Sequence, residues 1–346
     1  MNAAPMTSTY SMWSLFRNCR KAADWRYVQH VVPNERDGNL HYGSLIHDCL
    51  EAWHRYRNLD HVLGLIDRSC PNRNGDEAQR RDWHLATAMM RGYAARYPEE
   101  EFEVVELEKV FQGPIVNPET GAASRSFVLS GKVDGIVRIG NEYFVLEHKT
   151  ASLLDSSYLE RLWTDFQITL YAYYVEQTLG LPITGILYNV LVKAKLQQSA
   201  GETEEEFEAR RAELLAKSKT GKSSAQRRMP ETDEEFQARL AEKYADPALF
   251  HREMLYLSRD RFDLLRSELW ELTQAFLDAR RRGVFYQNTS HCFQYNRPCP
   301  YFALCRSNGN PNVLENFYQR VEPHEELRVL PAEAPTPLTG LATLVF

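Results

Sequence analysis

Residues 131–150 read GKVDGIVRIGNEYFVLEHKT. Gly140-Asn141 lies between two apolar, alternating runs, which is the signal of a two-residue hairpin turn. A turn centred there sets Asp134 directly opposite Glu147. Side chains alternate faces along a strand, so Lys149 shares the face of Glu147. Two carboxylates and one ammonium therefore converge from two neighbouring strands. Opposed carboxylates repel unless a cation separates them. A hard divalent ion, Mg²⁺ or Mn²⁺, suits such oxygen donors, and the backbone carbonyl of His148 is a further candidate ligand. A lysine beside the ion orients or helps deprotonate a water and offsets charge developing on a phosphoryl group. The competing reading is an exposed hairpin with a surface Glu147–Lys149 ion pair, which contributes less than ~1 kcal/mol.

The flanking sequence predicts helices over 9–30, over 42–58 (opened by Gly43 and Ser44) and over 77–97. Strands are predicted over 101–111, 126–139 and 143–149. A long helix over 156–179, stopped by Gly180 and Pro182, is followed by a strand over 184–193. One amphipathic helix is expected over 247–282, ended by Gly283. This order predicts a mixed α/β (α+β) fold with a mixed β-sheet flanked by helices. Gln167 and Tyr171 stand four apart, on one face of the helix after the hairpin. His47 sits beside Ile46 on the second helix, where a lone histidine is more often structural than a ligand. Residues 195–246 contain an echo, GETEEEFEARRAE at 201–213 and PETDEEFQARLAE at 230–242. In each copy a threonine precedes a glutamate by three (Thr203 and Glu206, Thr232 and Glu235), a capping box that starts a surface helix. The reading is a solvated, inserted helical arm with a basic tip, KSKTGKSSAQRR, suited to phosphate contact. The chain thus divides into 1–194 (N-terminal helices and core sheet), the arm 195–246, 247–321 completing the core domain, and a Pro-rich tail 322–346.

Six cysteines are present, and three of them, Cys292, Cys299 and Cys305, crowd into HCFQYNRPCPYFALC. Thiolates cluster at loop spacing to hold a soft metal or an iron–sulfur cluster, which takes four ligands. Cys19, Cys49 or Cys70 is available as the fourth, and Cys49 on a helix reads as a buried thiol. The hydrophobic fraction, 43%, suffices for a packed core, and no apolar run approaches the roughly 20 residues of a membrane span. The N-terminus lacks signal-peptide layout, so the cytoplasm (a host's, if the chain is viral) is expected. A net charge of −6 gives no global attraction for nucleic acid, so any polyanion site must be a local basic patch.

Taken in order, Cys19 after an aromatic helix, His47, G-x-x-D (Gly131 to Asp134), E-x-K (Glu147, Lys149), Q-x-x-x-Y (Gln167, Tyr171) and three late cysteines resemble the RecB-like branch of the PD-(D/E)XK nuclease superfamily. The resemblance covers most of the chain outside 195–246 and the tail, and is closest to stand-alone phage-type members. It implies a restriction-endonuclease-like core and a metal-dependent DNA nuclease, an exonuclease on single-stranded DNA or DNA ends. It makes His47, Asp134 and Glu147 metal ligands, Lys149 the catalytic lysine, and Gln167 with Tyr171 its support. It also implies that Cys19, Cys292, Cys299 and Cys305 hold a 4Fe–4S cluster joining the N- and C-terminal regions, as in AddB and CRISPR-associated RecB-like exonucleases. Trp13, Trp25 and Trp163 are then candidates for base stacking, and Glu106 or Glu108 for a further metal contact. Recombination, repair or phage DNA processing is the expected setting, with a recombination or CRISPR adaptation protein as partner. A catalytically silent nucleic-acid-binding relative is the rival from another class. A non-nuclease redox enzyme would leave the carboxylate–lysine face unexplained.

Overall fold

The computed structural model describes residues 4–34, 38–218, 223–294, 297–324 and 327. The chain opens with strand β1 (Met6–Ser8), helix α1 (Tyr10–Asn18), the short helix α2 (Arg20–Ala23), a π-helical turn (Asp24–Val28) and strand β2 (Val31–Pro33). The single helix expected over 9–30 is therefore broken. Cys19 is extended (φ −156°, ψ 111°) and separates α1 from α2. The Thr9 side chain accepts the Met12 amide and starts α1.

Helices α3 (Gly38–Tyr56), α4 (Leu59–Ser69) and α5 (Glu77–Arg96) follow. Gly43 and Ser44 thus lie inside α3 rather than at its start. α4 was not foreseen, although Asn58 caps it by accepting the His61 amide. Next come β3 (Glu103–Val116), β4 (Ala123–Ile139), β5 (Glu142–Ala151), α6 (Ser156–Leu162), α7 (Phe166–Leu179) and β6 (Ile183–Val192). The helix expected over 156–179 is two, because Asp165 caps a new start by accepting the Gln167 amide at 2.8 Å.

After β6 the chain runs through α8 (Glu204–Lys217) and α9 (Asp233–Tyr244) into β7 (Phe250–Tyr256) and α10 (Asp260–Arg282). The helix expected over 247–282 is thus a strand followed by a shorter helix. Pro247 sits in a 3-10 turn capped by Asp246, and Phe250–Leu191 to Tyr256–Gly185 pairing completes the sheet. Both capping boxes form as read, at Thr203/Glu206 and Thr232/Glu235. The arm is not wholly solvated, however. α8 buries nothing, but α9 buries Phe236, Leu240 and Tyr244 against α5. Of the basic tip, residues 219–222 lie outside the described residues, as do 325–326 and 328–346 of the tail. The C-terminal region holds the short strands β8 (Phe293–Gln294) and β9 (Arg297–Pro298), helices α11 (Phe302–Arg306) and α12 (Pro311–Phe317), and β10 (Tyr318–Arg320). β10 pairs antiparallel with β2, and the Tyr301 hydroxyl donates to the Val31 carbonyl, so backbone already ties the two ends together.

β4 is the spine of a mixed sheet. β3 runs antiparallel along one edge. The other edge is shared, with β1 parallel to Phe127–Leu129 and β5 antiparallel to Gly135–Ile139. Ser130–Asp134 lie between those two ladders, so the sheet has a notch there. β5 pairs parallel with β6, and β6 antiparallel with β7. One face packs on α1, α7 and α10 through Val133, Val145 and Ile186; the other layer is built from α3, α4, α5 and α9. Gly185 lets β7 approach, since a Cβ there would stand 2.1 Å from the Leu255 carbonyl oxygen. Backbone cannot yield as a side-chain tip does. Gly185→Ala is expected to cost about 2–3 kcal/mol, read as a lowered urea midpoint.

Candidate active site and cysteine centre

The hairpin register matches the sequence reading, with β4–β5 pairs from Ile139–Glu142 to Gly135–Leu146. At the next position the Asp134 side chain ties the strands, its Oδ2 accepting the His148 amide at 2.7 Å. Its Oδ1 lies 3.0 Å from His47 Nδ1, which α3 delivers across the notch. On β5, Glu147 Oε1 accepts from Lys149 Nζ at 2.6 Å and from Gln167 Nε2 at 2.9 Å. Lys149 Nζ also donates to Gln167 Oε1 at 3.1 Å, closing a triangle of three side chains. Tyr171, one turn along α7, hydrogen-bonds Gln167. The glycine of G-x-x-D has a packing reason. A Cβ on Gly131 would meet Phe111 Cζ at 2.3 Å, and the Phe111 ring stands edge-on to Tyr171 at 5.3 Å.

Burial favours the protonated form of Asp134, but the His47 and His148 side overcomes it and holds the carboxyl well below the usual range. Glu147 is raised, first by burial and then by Asp134, with Lys149 opposing. Burial works against charge on Lys149, yet Glu147 keeps it protonated. His47 is likewise raised, because Asp134 outweighs desolvation. The cluster therefore holds Asp134 ionised and Lys149 cationic.

Among the described residues, no group of three or more His, Cys, Asp or Glu side chains already surrounds a metal position. The donor set nevertheless suits a hard cation. His47 Nδ1 and Asp134 Oδ1, here joined to each other by a 3.0 Å hydrogen bond, are the nitrogen and oxygen donors that would turn to it beside Glu147. The two glutamates of β3 separate clearly. Glu106 is 44% exposed at its side chain and pairs with Lys109. Glu108 has a left-handed backbone (φ 52°), pairs with Lys132, and lies within electrostatic reach of Asp134.

The sequence reading missed what lies behind the notch. It used only the backbone carbonyl of His148, but the side chain points into the opposite layer. There it stacks on His54 at 5.3 Å and 1°, and its Nδ1 accepts from Asn189 Nδ2 at 2.9 Å. Asn189 also donates to the Tyr93 hydroxyl, as does Arg252, and Arg252 pairs with Glu100 at 2.7 Å. An asparagine in the apolar run TGILYNVLVK was the available signal. Burial lowers His148 to about 3 and His54 well below its usual value. The carboxylate nearest His54 is Glu100, already committed to Arg57 and Arg252. The unfolded chain protonates both rings near pH ~6.5 while the folded chain does not, so stability falls with acidification. Acidification from about pH 6 to pH 4 should therefore lower the urea midpoint, and by less in His54→Gln than in wild type.

At the chain ends, the structure brings Cys19 to Cys292, Cys299 and Cys305. The Cys299 thiol feels the other three, and burial followed by these neighbours raises it. Trp25 Nε1 donates to Cys305 Sγ at 3.4 Å and the Asn288 amide to Cys19 Sγ at 3.4 Å. Cys49 and Cys70 lie elsewhere, fully buried in the helical layer. Trp13 and Trp25 are buried at 0% and 8% exposure, which removes them as stacking platforms; Trp163 is 44% exposed.

Among the described residues, no helix is long and apolar enough to cross a membrane. No curated protein matches the sequence. A family model for the PD-(D/E)XK nuclease superfamily matches residues 7–306, a stretch that contains the notch, the lysine triangle and all four converging cysteines. The chain belongs to the PD-(D/E)XK nuclease superfamily.

Proposed function

We propose that this protein is a metal-dependent deoxyribonuclease of the RecB-like branch, an exonuclease on single-stranded DNA or DNA ends. One observation carries the reading: Asp134 and the hydrogen-bonded Glu147–Lys149–Gln167 triangle meet at a break in the sheet edge. His47, Asp134, Glu147 and the His148 carbonyl would hold Mg²⁺ or Mn²⁺, as superfamily members commonly do. When bound, such an ion acts as a Lewis acid and lowers the pKa of its water. Asp134 is held ionised by His47 and the His148 amide, so it is ready to receive a cation without losing a proton. Lys149, kept charged by Glu147, offers a fixed ammonium to a scissile phosphate or its attacking water. Gln167 fixes the positions of both, and Tyr171 fixes Gln167. Glu108, rather than Glu106, is the further acid on this side.

Cys19, Cys292, Cys299 and Cys305 fit a structural 4Fe–4S cluster, since N–H donors already point at two of the sulfurs. The setting we infer is recombination, repair or phage DNA processing in the cytoplasm, with a recombination or CRISPR adaptation protein as partner.

The test is a gel assay with end-labelled single- and double-stranded DNA. Mononucleotide release from the single strand with Mn²⁺, abolished by EDTA, is the expected result. Binding without cleavage under every divalent ion would support the silent relative instead.

A further inference from the structure

A cavity of about 480 Å³ opens beside Cys19, with Arg17, Arg20, Tyr286 and Asn288 in its walls. That size lies within the roughly 300–1,000 Å³ of ligand sites. A second hollow of about 150 Å³ shares Arg17 and Asn18 with the first and continues to Tyr10, Ser14 and Phe166. Tyr10, Ser14 and Arg17 fall on one face of α1 at helical spacing. The far end of this path approaches the lysine triangle. Phe166 adjoins Gln167 in sequence, and the Tyr10 ring stands 6.2 Å from Phe166 and 6.3 Å from Tyr171.

The chemistry along the path is cationic and aromatic. Arg17 lies over the Phe166 ring at 4.8 Å. Arg20 is held between two rings, 4.9 Å from Phe16 and 4.7 Å from Tyr286. Among the described residues, neither arginine has a carboxylate partner, unlike Arg57, Arg210, Arg239, Arg252 and Arg259. A guanidinium held by ring stacking keeps its N–H fork free for phosphate oxygens. Tyr286 is 56% exposed, with ring surface left for a base. Asn288 fastens the floor, donating its side-chain amide to the Asn18 carbonyl at 2.8 Å and its backbone N–H to Cys19 Sγ.

We propose that this track, from Tyr10 and Phe166 past Arg17 to Arg20 and Tyr286, is a binding subsite for single-stranded DNA. In it the two arginines take backbone phosphates and Tyr286 stacks a base. The proposal rests on the nuclease reading and adds the residues that lead the strand from the notch to the cysteine centre. It also gives the notch a physical reason to prefer one strand, since stacking on Tyr286 needs an unpaired base.

Fluorescence anisotropy with a labelled oligothymidylate, in EDTA so that no cutting occurs, tests it. Each phosphate contact contributes about 0.7 to the slope of log K against log salt for a single strand. Arg17→Ala and Arg20→Ala should each lower the slope by about 0.7, and the double variant by about 1.4. Tyr286→Ala should weaken binding about tenfold on the oligothymidylate and not on an abasic strand of equal length. Arg211→Ala, on α8 and outside both cavities, should change nothing. Should Arg20→Ala fail to fold, the exposed Arg17 still reads the slope. Wild-type slope in both arginine variants, or an equal loss on a duplex, overturns the track. The two readings fail separately. A protein that cuts but binds independently of these arginines sinks the track alone, and one that binds through them but never cuts sinks the nuclease reading alone.

Discussion

Lys149→Met should lower the cleavage rate by about 10³-fold, the scale on which a fixed charge at a developing phosphoryl charge operates. It should also destabilise the protein by about 2–3 kcal/mol, because Glu147 is left buried without its partner. That figure sits at the low end for a buried pair because Lys149 is 30% exposed at its side chain. Burial already raises Glu147, so without the lysine it takes up a proton more readily still, and the stability deficit should shrink as pH falls. Glu147→Gln combined with Lys149→Met removes the stranded charge. The pair should regain stability in urea and stay inactive in single-turnover assays. Recovery of cleavage along with stability would assign Lys149 a merely structural role.

Cys19→Ser should strip the cysteine centre. Wild-type protein purified without oxygen is expected to be brown, with about four iron atoms per chain and broad absorption near ~400 nm. In Cys19→Ser both iron and absorption should fall to a small fraction of wild type. Cys49→Ser and Cys70→Ser, which change thiols in the helical layer, should leave them unchanged. Colourless wild-type protein carrying one zinc per chain would replace the cluster with a zinc knot. Backbone pairing of β2 with β10 joins the chain ends independently. The iron-free variant should therefore remain folded through the sheet while the Cys19–Asn288 contact loosens, seen as protease cutting near that loop.

The hairpin was legible because it is local. A turn signal and period-two alternation fix the register of neighbouring strands, and the pairs from Ile139–Glu142 to Gly135–Leu146 fall where the arithmetic puts them; the ladder stops one position short of Asp134, whose side chain takes the His148 amide instead. His47 was not legible from its own helix, where it looks like any half-buried histidine. Its meaning depends on α3 crossing the notch, a long-range packing event. Glu106 and Glu108 could not be told apart because the choice lies in one left-handed residue at Glu108, a backbone state that sequence periodicity does not encode. Helix boundaries failed where a cap interrupts an apolar pattern, at Asp165, and where a strand borders a strongly amphipathic helix, at 250–256. The His148–Asn189–Tyr93–Arg252 chain was missed because its members come from four different elements and meet only through the fold.

The proposed function requires one divalent cation between Asp134 and Glu147. Mn²⁺ binding followed by the electron-spin signal of free ion measures this without relying on activity. One equivalent should bind to wild type, and that equivalent should be lost in Asp134→Asn, which keeps the side-chain shape. Equal Mn²⁺ binding by wild type and Asp134→Asn, or none by either at millimolar ion, would contradict it.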